Sequence, residues 1–238
     1  MTPDLTEVLE ATWPAAAIHR AGPWAVREGR GGGKRVSAAT AEAPVSPEVF
    51  PALEAAQAAL GQPPLVMVRE KDKALDAMLE KAGYAVVDPV IGYAAPVGRL
   101  VAELPPLAAF AHWPPLAIQR EIWGAGHIGP ERVAVMERVT GPKTSLFARS
   151  SDRPSGAGFV AIHQGTAMLH ALEVLKAQRR QGAGLAMMRA AANWAETQGA
   201  TRFSLVVTRA NTGARALYAS LGLEVVGQYH YRMKQAQT

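Results

Sequence analysis

The segment Arg179–Leu185, of sequence Arg-Arg-Gln-Gly-Ala-Gly-Leu, has the residue types of a binding site for phosphate groups. A continuous apolar stretch over 167–175 precedes it and predicts a strand, and a helical pattern over 185–197 follows it. Backbone N–H groups at the start of a helix lack intrahelical acceptors and lie at the positive end of the helix dipole. The glycines let the backbone approach an anion closely, and the two arginines add positive charge. We therefore predict that this segment binds phosphate.

A second pattern that could do chemistry begins at Asn211, after a predicted strand over 203–208, and ends at Gly222. It reads Asn-Thr-Gly-Ala-Arg-Ala-Leu-Tyr-Ala-Ser-Leu-Gly, which predicts a short helix capped by Asn211. Tyr218 follows Asn211 by two helical turns, so the two side chains share one face of the helix. A phenol with an ordinary pKa of about 10 stays protonated at neutral pH and can donate a proton. Tyr218 is therefore a candidate acid, although its spacing is also typical of a core tyrosine.

The two patterns are Arg-x-x-Gly-x-Gly after one strand and Asn-x-x-Ala-x-x-Leu-Tyr-x-x-Leu-Gly after the next. In this order they resemble the acetyl-coenzyme A loop and the following motif of the GNAT superfamily of N-acetyltransferases, over roughly 156–234. The resemblance implies the GNAT fold, an α/β architecture with a mixed sheet of the α+β kind. It implies acetyl transfer from acetyl-CoA to a primary amine, on a small molecule or at a peptide α-amino group, directly within a ternary complex and without a metal. The alternative is a non-catalytic acyl-CoA-binding or regulatory protein of the same fold.

The resemblance also assigns roles to residues. The loop would hold the pyrophosphate through main-chain amides, the end of the preceding strand would pair with the pantetheine arm, and Tyr218 would protonate the departing thiolate. The residues implied to contact the coenzyme are Leu172, Glu173, Val174, Arg179, Arg180, Gln181, Gly182, Ala183, Gly184, Leu185, Asn211, Ala214 and Tyr218.

A general base for the incoming ammonium is harder to identify. Some members of the resembled family carry a glutamate in the strand before the catalytic helix, but Val206 stands at that position here. Glu173 is the only carboxylate within the apolar run, so it joins Tyr218 as a candidate catalytic residue; the alternative is a solvent-facing edge residue. His170, on the same predicted strand, is either a participant in the site or a buried histidine.

The N-terminal half of the chain repeats the strand–helix–glycine–strand order of the C-terminal half. Superposing Gly83 on Gly222 places Val68 on Val207 and Asp72 on Asn211, although any two such units have some chance resemblance. The counterpart of the phosphate loop, 40–45, lacks glycine and carries an acid. We predict two tandem GNAT-like halves, a degenerate domain over 1–105 and an acetyltransferase domain over 106–238, that bind one acetyl-CoA and form a monomer.

Hydrophobic periodicity and turn residues predict the elements that position these groups. In the N-terminal half we predict a helix within 2–22 followed by a loop, strands over 24–28 and 35–40 joined by a glycine-rich hairpin turn, a helix over 46–59, a strand over 65–69, a helix over 73–82 and a strand over 84–87. In the C-terminal half we predict a proline-rich junction over 104–115, helices over 117–124 and 130–139, strands over 144–149 and 158–163 separated by a loop over 150–156, a turn at Gln164-Gly165, and a final strand over 225–233.

Composition excludes several classes of function. The 238 residues carry a net charge of +5 with scattered lysines and arginines and only 6% aromatic residues, whereas nucleic-acid binding favours a basic stripe with stacking residues. No apolar run approaches the roughly 20 residues of a membrane span. Because the chain has no cysteine, disulfides, thiolate metal sites and a cysteine nucleophile are excluded. We expect a cytoplasmic protein with an amine substrate and neither nucleic-acid nor membrane partners.

Overall fold

The structure is a computed structural model that describes residues 4–234. Its α-helices are α1 (Leu5–Thr12), α2 (Lys34–Ser37), α3 (Phe50–Ala59), α4 (Lys73–Lys81), α5 (Ala117–Ala125), α6 (Pro130–Arg138), α7 (Ala183–Thr197) and α8 (Thr212–Ser220). Its strands are β1 (Ala17–Ala21), β2 (Trp24–Glu28), β3 (Thr40–Ala41), β4 (Leu65–Arg69), β5 (Tyr84–Pro96), β6 (Ala109–His112), β7 (Lys143–Ser150), β8 (Arg153–His163), β9 (Thr166–Val174), β10 (Arg202–Thr208) and β11 (Glu224–Lys234).

The chain divides into two compact units whose segments alternate along the sequence. Unit 1 comprises the chain up to Pro14 together with 92–207 and 212–226, and unit 2 comprises 15–91, 208–211 and the chain from Gly227 onward. Strands β5 and β11 therefore contribute residues to both units. These units do not follow a boundary at residue 105, and the division into a degenerate GNAT-like domain over 1–105 and an acetyltransferase domain over 106–238 stays a prediction.

Unit 1 contains a mixed sheet in the order β5-β10-β9-β8-β7-β6. The four strands from β6 to β9 are antiparallel neighbours, whereas β9 and β10 are parallel and pair Phe203 with Ala167. The β8–β9 hairpin turns at Gln164 and Gly165, whose φ angles of 45° and 74° are those of a tight two-residue turn. Helix α7 lies against this sheet through a face of small buried residues that includes Ala191 and Ala195.

Unit 2 is built around one apolar cluster. Trp24 from β2, Phe50 and Leu53 from α3, and Leu79 from α4 are all buried in it, with Tyr84 from β5. The strand order is β4-β11-β5 in one sheet, and β1-β2-β3 form a second, small antiparallel sheet. Apolar burial of this kind is the main favourable term in folding a unit of this size.

Most predicted elements are confirmed, with the clearest agreement at β4, which the structure places at the predicted residues. The loop predicted after the first helix is wrong at 17–21, which form β1, and residues 2 and 3 of that helix lie outside the described residues. The strand predicted over 35–40 is wrong at 35–38, because Gly33, at φ 95°, precedes the single helical turn α2. Thr40 does lie in a strand, β3, which pairs antiparallel with β2, and β1 is the other antiparallel neighbour of β2.

Two further boundaries differ from the predictions. Strand β8 begins at Arg153, inside the predicted loop 150–156, because it pairs with β7 as far as Ser150. Strand β6 lies within the predicted proline-rich junction. No helix in the part of the chain from 4 to 234 combines the length and the apolar character needed to cross a membrane.

An ion cluster in unit 2 connects α4 to β11. The carboxylate of Asp76 accepts hydrogen bonds from Arg232 at 2.7 Å and contacts His230 at 2.8 Å. Arg232 is buried and also donates to the carbonyl of Tyr84 at 3.0 Å. The hydrogen bond from Arg232 lowers the pKa of Asp76, the bond to His230 adds to this, and desolvation opposes both. The folded state therefore favours the ionised carboxylate.

We expect Asp76→Asn to reduce the free energy of unfolding at neutral pH by about 1–3 kcal/mol, because a buried guanidinium loses its counterion. A lowered folded-state pKa contributes stability above the ordinary value of 3.8 and loses it as the pH falls through the lower folded value. The difference between wild type and variant in urea denaturation should therefore shrink in acid. Glu80→Gln is the matched control, since Glu80 lies 3.7 Å from Arg232 but is largely exposed, and it should change little. Equal losses in both variants would contradict the assignment.

Candidate active site

Hydrogen bonding between β9 and β10 stops halfway along both strands. In the described chain their parallel pairing ends at Leu205 and Leu169, whereas β9 continues to Val174 and β10 to Thr208. The end of β9 therefore has a backbone edge that β10 does not cover. Such an edge can accept an extended ligand as an added strand.

A bulge in β9 marks the place where the pairing stops. The register between β8 and β9 shifts between Ala157 and Phe159, and Ala171 on β9 has a φ of 50°, which is unusual for a residue other than glycine. The indole N–H of Trp123, a fully buried residue of α5, donates to the carbonyl of Ala171 at 2.9 Å. This hydrogen bond holds the strained residue in place.

Beyond the bulge, Val174 faces the open edge. The N–H of Leu175 donates to the carbonyl of Ser155 at 2.9 Å, so Leu175 faces β8. Adjacent residues of a strand present their backbone polar groups to opposite sides. The carbonyl of Val174 therefore points away from β8, and Leu172 shares this orientation by the same alternation.

The predicted phosphate loop follows β9 directly. After a short 3-10 turn over Lys176–Gln178, Arg180 has a φ of 65° and Gly182 has a φ of 85°, in the left-handed region. Helix α7 begins at Ala183. Backbone residues with such positive φ angles turn successive N–H groups toward one concave side, and the 15-residue helix adds its positive end. The predicted residues Gln181, Gly184 and Leu185 lie in this loop and the first turn of α7.

The loop leaves room for an anion close to its backbone. A Cβ placed on Gly182 would meet no atom within 4 Å, so the space beside this residue is open. A Cβ on Gly184 would be 3.6 Å from Leu217 of α8, the residue before Tyr218. The first turn of α7 and the tyrosine-bearing turn of α8 are therefore neighbours. The open space, the helix start and the uncovered strand edge fit a diphosphate with an extended amide-containing arm.

Glu173 is held between the α5–α6 turn and the phosphate loop. A Cβ on Gly126 would come within 2.5 Å of the Glu173 carboxyl carbon, so the side chain packs against a residue without one. On the other side, Arg179 donates to the Glu173 carboxylate at 3.3 Å. Arg179 also donates to the carbonyl of Val174 at 3.1 Å. The Glu173 carboxylate thus packs against the α5–α6 turn on one side and contacts the guanidinium of Arg179 on the other.

Tyr218 is buried on α8 beside another tyrosine. Its ring centroid lies 5.7 Å from that of Tyr93 on β5, whose hydroxyl accepts a 3.4 Å hydrogen bond from Arg215. Desolvation, and secondarily the proximity of Tyr93, raise the pKa of Tyr218 to about 12. The phenol therefore stays protonated across the physiological range and is available as a hydrogen-bond donor.

His170 is a core residue of unit 1. Its Nε2 lies 2.8 Å from the hydroxyl of Thr12, which donates its own proton to the carbonyl of Val8 at 2.6 Å. Since a hydroxyl has one proton to give, Nε2 of His170 must carry the proton of the shared hydrogen bond. The ring is buried and lies 5.0 Å from that of Trp13. These contacts agree with the interpretation of a buried histidine.

The structure brings together most of the predicted residues and separates others. Glu173, Val174 and Arg179 are in direct contact, whereas no hydrogen bond or ion pair joins Glu173 to Tyr218 in the described residues. Asn211 directly precedes α8 and its N–H bonds the carbonyl of Thr208; both belong to unit 2. Ala214 lies in the first turn of α8.

Sequence reasoning missed two neighbours of the candidate catalytic side chains. Tyr93 lies far from Tyr218 along the chain, in a strand with no distinguishing pattern. Gly126 ends α5 at an ordinary φ of −94°, so the glycine is not required by its backbone angle. Only the packing of Glu173 against it explains a small residue there, and that packing has no local sequence signal.

We expect Gly126→Ala to displace the Glu173 side chain, because the new methyl group would overlap a flexible carboxylate and not the backbone. The cost should be about 1 kcal/mol or less in the free energy of unfolding, with a changed Glu173 rotamer in a crystal structure. Gly124→Ala is the matched control, since no atom lies within 4 Å of its Cβ. It should leave Glu173 in place and raise stability by about 0.5–1 kcal/mol. An unmoved Glu173 in Gly126→Ala would contradict this packing.

Known proteins resemble the chain in sequence and in fold. A family model described as acetyltransferase (GNAT) family matches residues 111–223. A protein of Bacillus subtilis (strain 168), described as the uncharacterized N-acetyltransferase YobR, is 27% identical over 241 residues, which cover 94% of this chain and 95% of that protein.

Two solved structures share the fold over most of the chain. A GCN5-related N-acetyltransferase from Kribbella flavida has a TM-score of 0.72 at 20% identity, covering 98% of this chain and 95% of its own. A tandem GNAT protein from the clavulanic acid biosynthesis pathway has a TM-score of 0.63 at 12% identity, covering 84% and 76%. In sequence and in fold, the chain is therefore similar to N-acetyltransferases of the GNAT family.

Proposed function

We propose that the protein transfers the acetyl group of acetyl-CoA to a primary amine, on a small molecule or at a peptide α-amino group. The observation that carries this proposal is the uncovered edge of β9 at Leu172–Val174, which runs directly into a glycine loop at the start of α7. An extended arm ending in a diphosphate fits an edge and a helix start in this order. The similarity to GNAT-family acetyltransferases supports acyl transfer from acetyl-CoA; the amine and the direct, ternary-complex route are our proposal.

We propose that the chain supplies binding groups for the pyrophosphate and for the pantetheine arm of the coenzyme. We propose that the loop amides hold the pyrophosphate and that the edge of β9 pairs with the pantetheine amides, while Asn211 and Ala214 contact the coenzyme from the loop before α8 and from its first turn. Acetyl-CoA, when bound, would supply a thioester-activated acetyl group. The chain's own residues orient that group and manage the protons.

We propose Glu173 as the group that removes a proton from the incoming ammonium. A primary amine has an ordinary pKa near 10.4, so most of it arrives charged at neutral pH and cannot attack until it loses a proton. Glu173 is the only carboxylate on β9, and it lies near the open edge with its side chain packed against Gly126. A carboxylate there also attracts the ammonium form of the acceptor.

We propose Tyr218 as the proton donor to the departing thiolate. Its raised pKa of about 12 keeps the phenol protonated at neutral pH, so a proton is present when the carbon–sulfur bond breaks. Coenzyme A then leaves as the thiol, and the second proton that the nitrogen loses on forming the amide restores the phenol. Tyr93 and Arg215 hold the tyrosine ring and its surroundings.

We further propose that the chain is a tandem GNAT protein whose N-terminal half is degenerate and that it binds one acetyl-CoA as a monomer. At the counterpart of the phosphate loop, Glu42 accepts a hydrogen bond from Thr40 at 2.7 Å and lies 3.9 Å from Arg69. An acid engaged in this way repels phosphate and leaves no glycine-lined approach. The likeness to a solved tandem GNAT protein supports the same interpretation.

Tyr218→Phe should lower kcat by about 10²–10⁴ while leaving the affinity for acetyl-CoA nearly unchanged, because only the hydroxyl is removed from a buried ring. The rate is followed as thiol release from acetyl-CoA with a panel of primary amines. Tyr93→Phe is the matched control and should have a much smaller effect. Thiol release by the wild type with none of the amines, despite tight coenzyme binding, would favour the non-catalytic acyl-CoA-binding alternative. A Tyr218→Phe variant with wild-type turnover would exclude the proposed role of the phenol.

Gly182→Val should weaken acetyl-CoA binding at least tenfold in calorimetry, since a β-branched residue strongly disfavours a φ of 85° and would reshape the loop. Gly182→Asn is the matched control, because asparagine tolerates this backbone region and the space around the Cβ is open. It should bind more tightly than Gly182→Val. The same titrations should give about one acetyl-CoA per wild-type chain. A second saturable site that survives Gly182→Val would contradict the degenerate N-terminal half.

A further inference from the structure

Arg179, the first residue of the predicted phosphate loop, does not point along the loop toward the start of α7. Its side chain folds back across the 3-10 turn and makes two contacts with the end of β9. The Nε group donates to the carbonyl of Val174 at 3.1 Å, and Nη2 donates to the carboxylate of Glu173 at 3.3 Å. The guanidinium is half exposed, whereas the Glu173 side chain is mostly buried.

Both groups that Arg179 contacts are needed elsewhere in the proposed reaction. The carbonyl of Val174 faces the open edge of β9, where the pantetheine arm would pair. The carboxylate of Glu173 is the proposed acceptor of the ammonium proton, and its other face is closed by Gly126. A guanidinium at 3.1 Å from the carbonyl occupies the space that a neighbouring strand would take.

We propose, on the basis of the coenzyme site proposed above, that Arg179 is a positioning residue that fills the coenzyme groove until the phosphates of acetyl-CoA draw it out. Moving the guanidinium to the diphosphate would uncover the Val174 carbonyl and release the Glu173 carboxylate in one step. Coenzyme binding thereby prepares the amine site.

The strengths of the competing contacts agree with this exchange. A half-exposed ion pair and one hydrogen bond to a carbonyl together change an equilibrium constant by about three- to tenfold. A diphosphate accepts charge-assisted and bidentate hydrogen bonds from arginine, which are among the stronger contacts of this kind. The phosphates can therefore displace Arg179 from β9, whereas a ligand without phosphates provides no comparable hydrogen-bond acceptor for the guanidinium.

Two ligands separate these roles. S-acetylpantetheine has the arm and the thioester but no pyrophosphate, and acetyl-CoA has all three. Calorimetric affinities for both are measured on the full chain as wild type, Arg179→Met and Lys176→Met. Lys176→Met is the matched control, since it removes the same charge from the exposed turn three residues earlier.

For Arg179→Met we expect effects of opposite sign. The variant should bind S-acetylpantetheine about three- to tenfold more tightly than the wild type, because the groove is already open. It should bind acetyl-CoA more weakly, because a phosphate partner is lost. Lys176→Met should leave the affinity for S-acetylpantetheine unchanged. A merely structural role for Arg179 would weaken both ligands together.

The inference would be overturned if Arg179→Met bound S-acetylpantetheine no more tightly than the wild type, or if neither Arg179→Met nor the wild type bound it detectably. In both cases, acetyl-CoA binding by the wild type would leave the proposed function intact. Failure of the wild type to bind acetyl-CoA would instead overturn the proposed function itself. Arg179→Lys provides a second variant. It keeps the charge for the phosphates but lacks the planar fork whose Nε and Nη2 contact the Val174 carbonyl and the Glu173 carboxylate, so it should retain acetyl-CoA affinity and still bind S-acetylpantetheine more tightly than the wild type.

Discussion

The candidate site depends on the point at which hydrogen bonding between β9 and β10 stops. Up to Leu169 the two strands satisfy each other, and beyond it the edge of β9 is left for another partner. Ala171 produces this change by adopting a positive φ that costs about 1–2 kcal/mol in a residue other than glycine. The buried indole of Trp123 offsets that cost by donating to the Ala171 carbonyl. A helix residue far away in sequence thus sets the geometry of the open edge.

The open edge of β9 can form a site because three other features lie next to it. The phosphate loop follows β9 without an intervening element, the α5–α6 turn presents a glycine to Glu173, and α8 brings Tyr218 near the first turn of α7. Each feature comes from a different part of unit 1, and none of them would form a site alone. Burial gives the two candidate groups different properties, since Tyr218 stays protonated in the core whereas Glu173 contacts the half-exposed guanidinium of Arg179.

Local sequence signals predicted the parts of the site that depend on backbone conformation. Gly182 and the start of α7 follow from glycine chemistry and helical periodicity, and Tyr218 follows from its spacing after Asn211. The bulge at Ala171 was not predictable, because alanine has no preference for a positive φ and the stabilising partner is a distant tryptophan. The contact between Gly126 and Glu173 was hidden for the same reason. In unit 2, the alternation over 35–40 suggested a strand, but Lys34–Ser37 form a helical turn that begins after Gly33.

Because the segments of the two units alternate along the sequence, recombination within the gene is constrained. The segments of unit 1 lie before and between those of unit 2, so no single cut in the polypeptide separates the two units. Recombination at one breakpoint would therefore deliver an incomplete piece of each unit to a new protein. Limited proteolysis would likewise yield fragments that each lack strands of their own sheet. If two ancestral copies were once joined end to end, the present chain is past the stage at which either could be inherited separately.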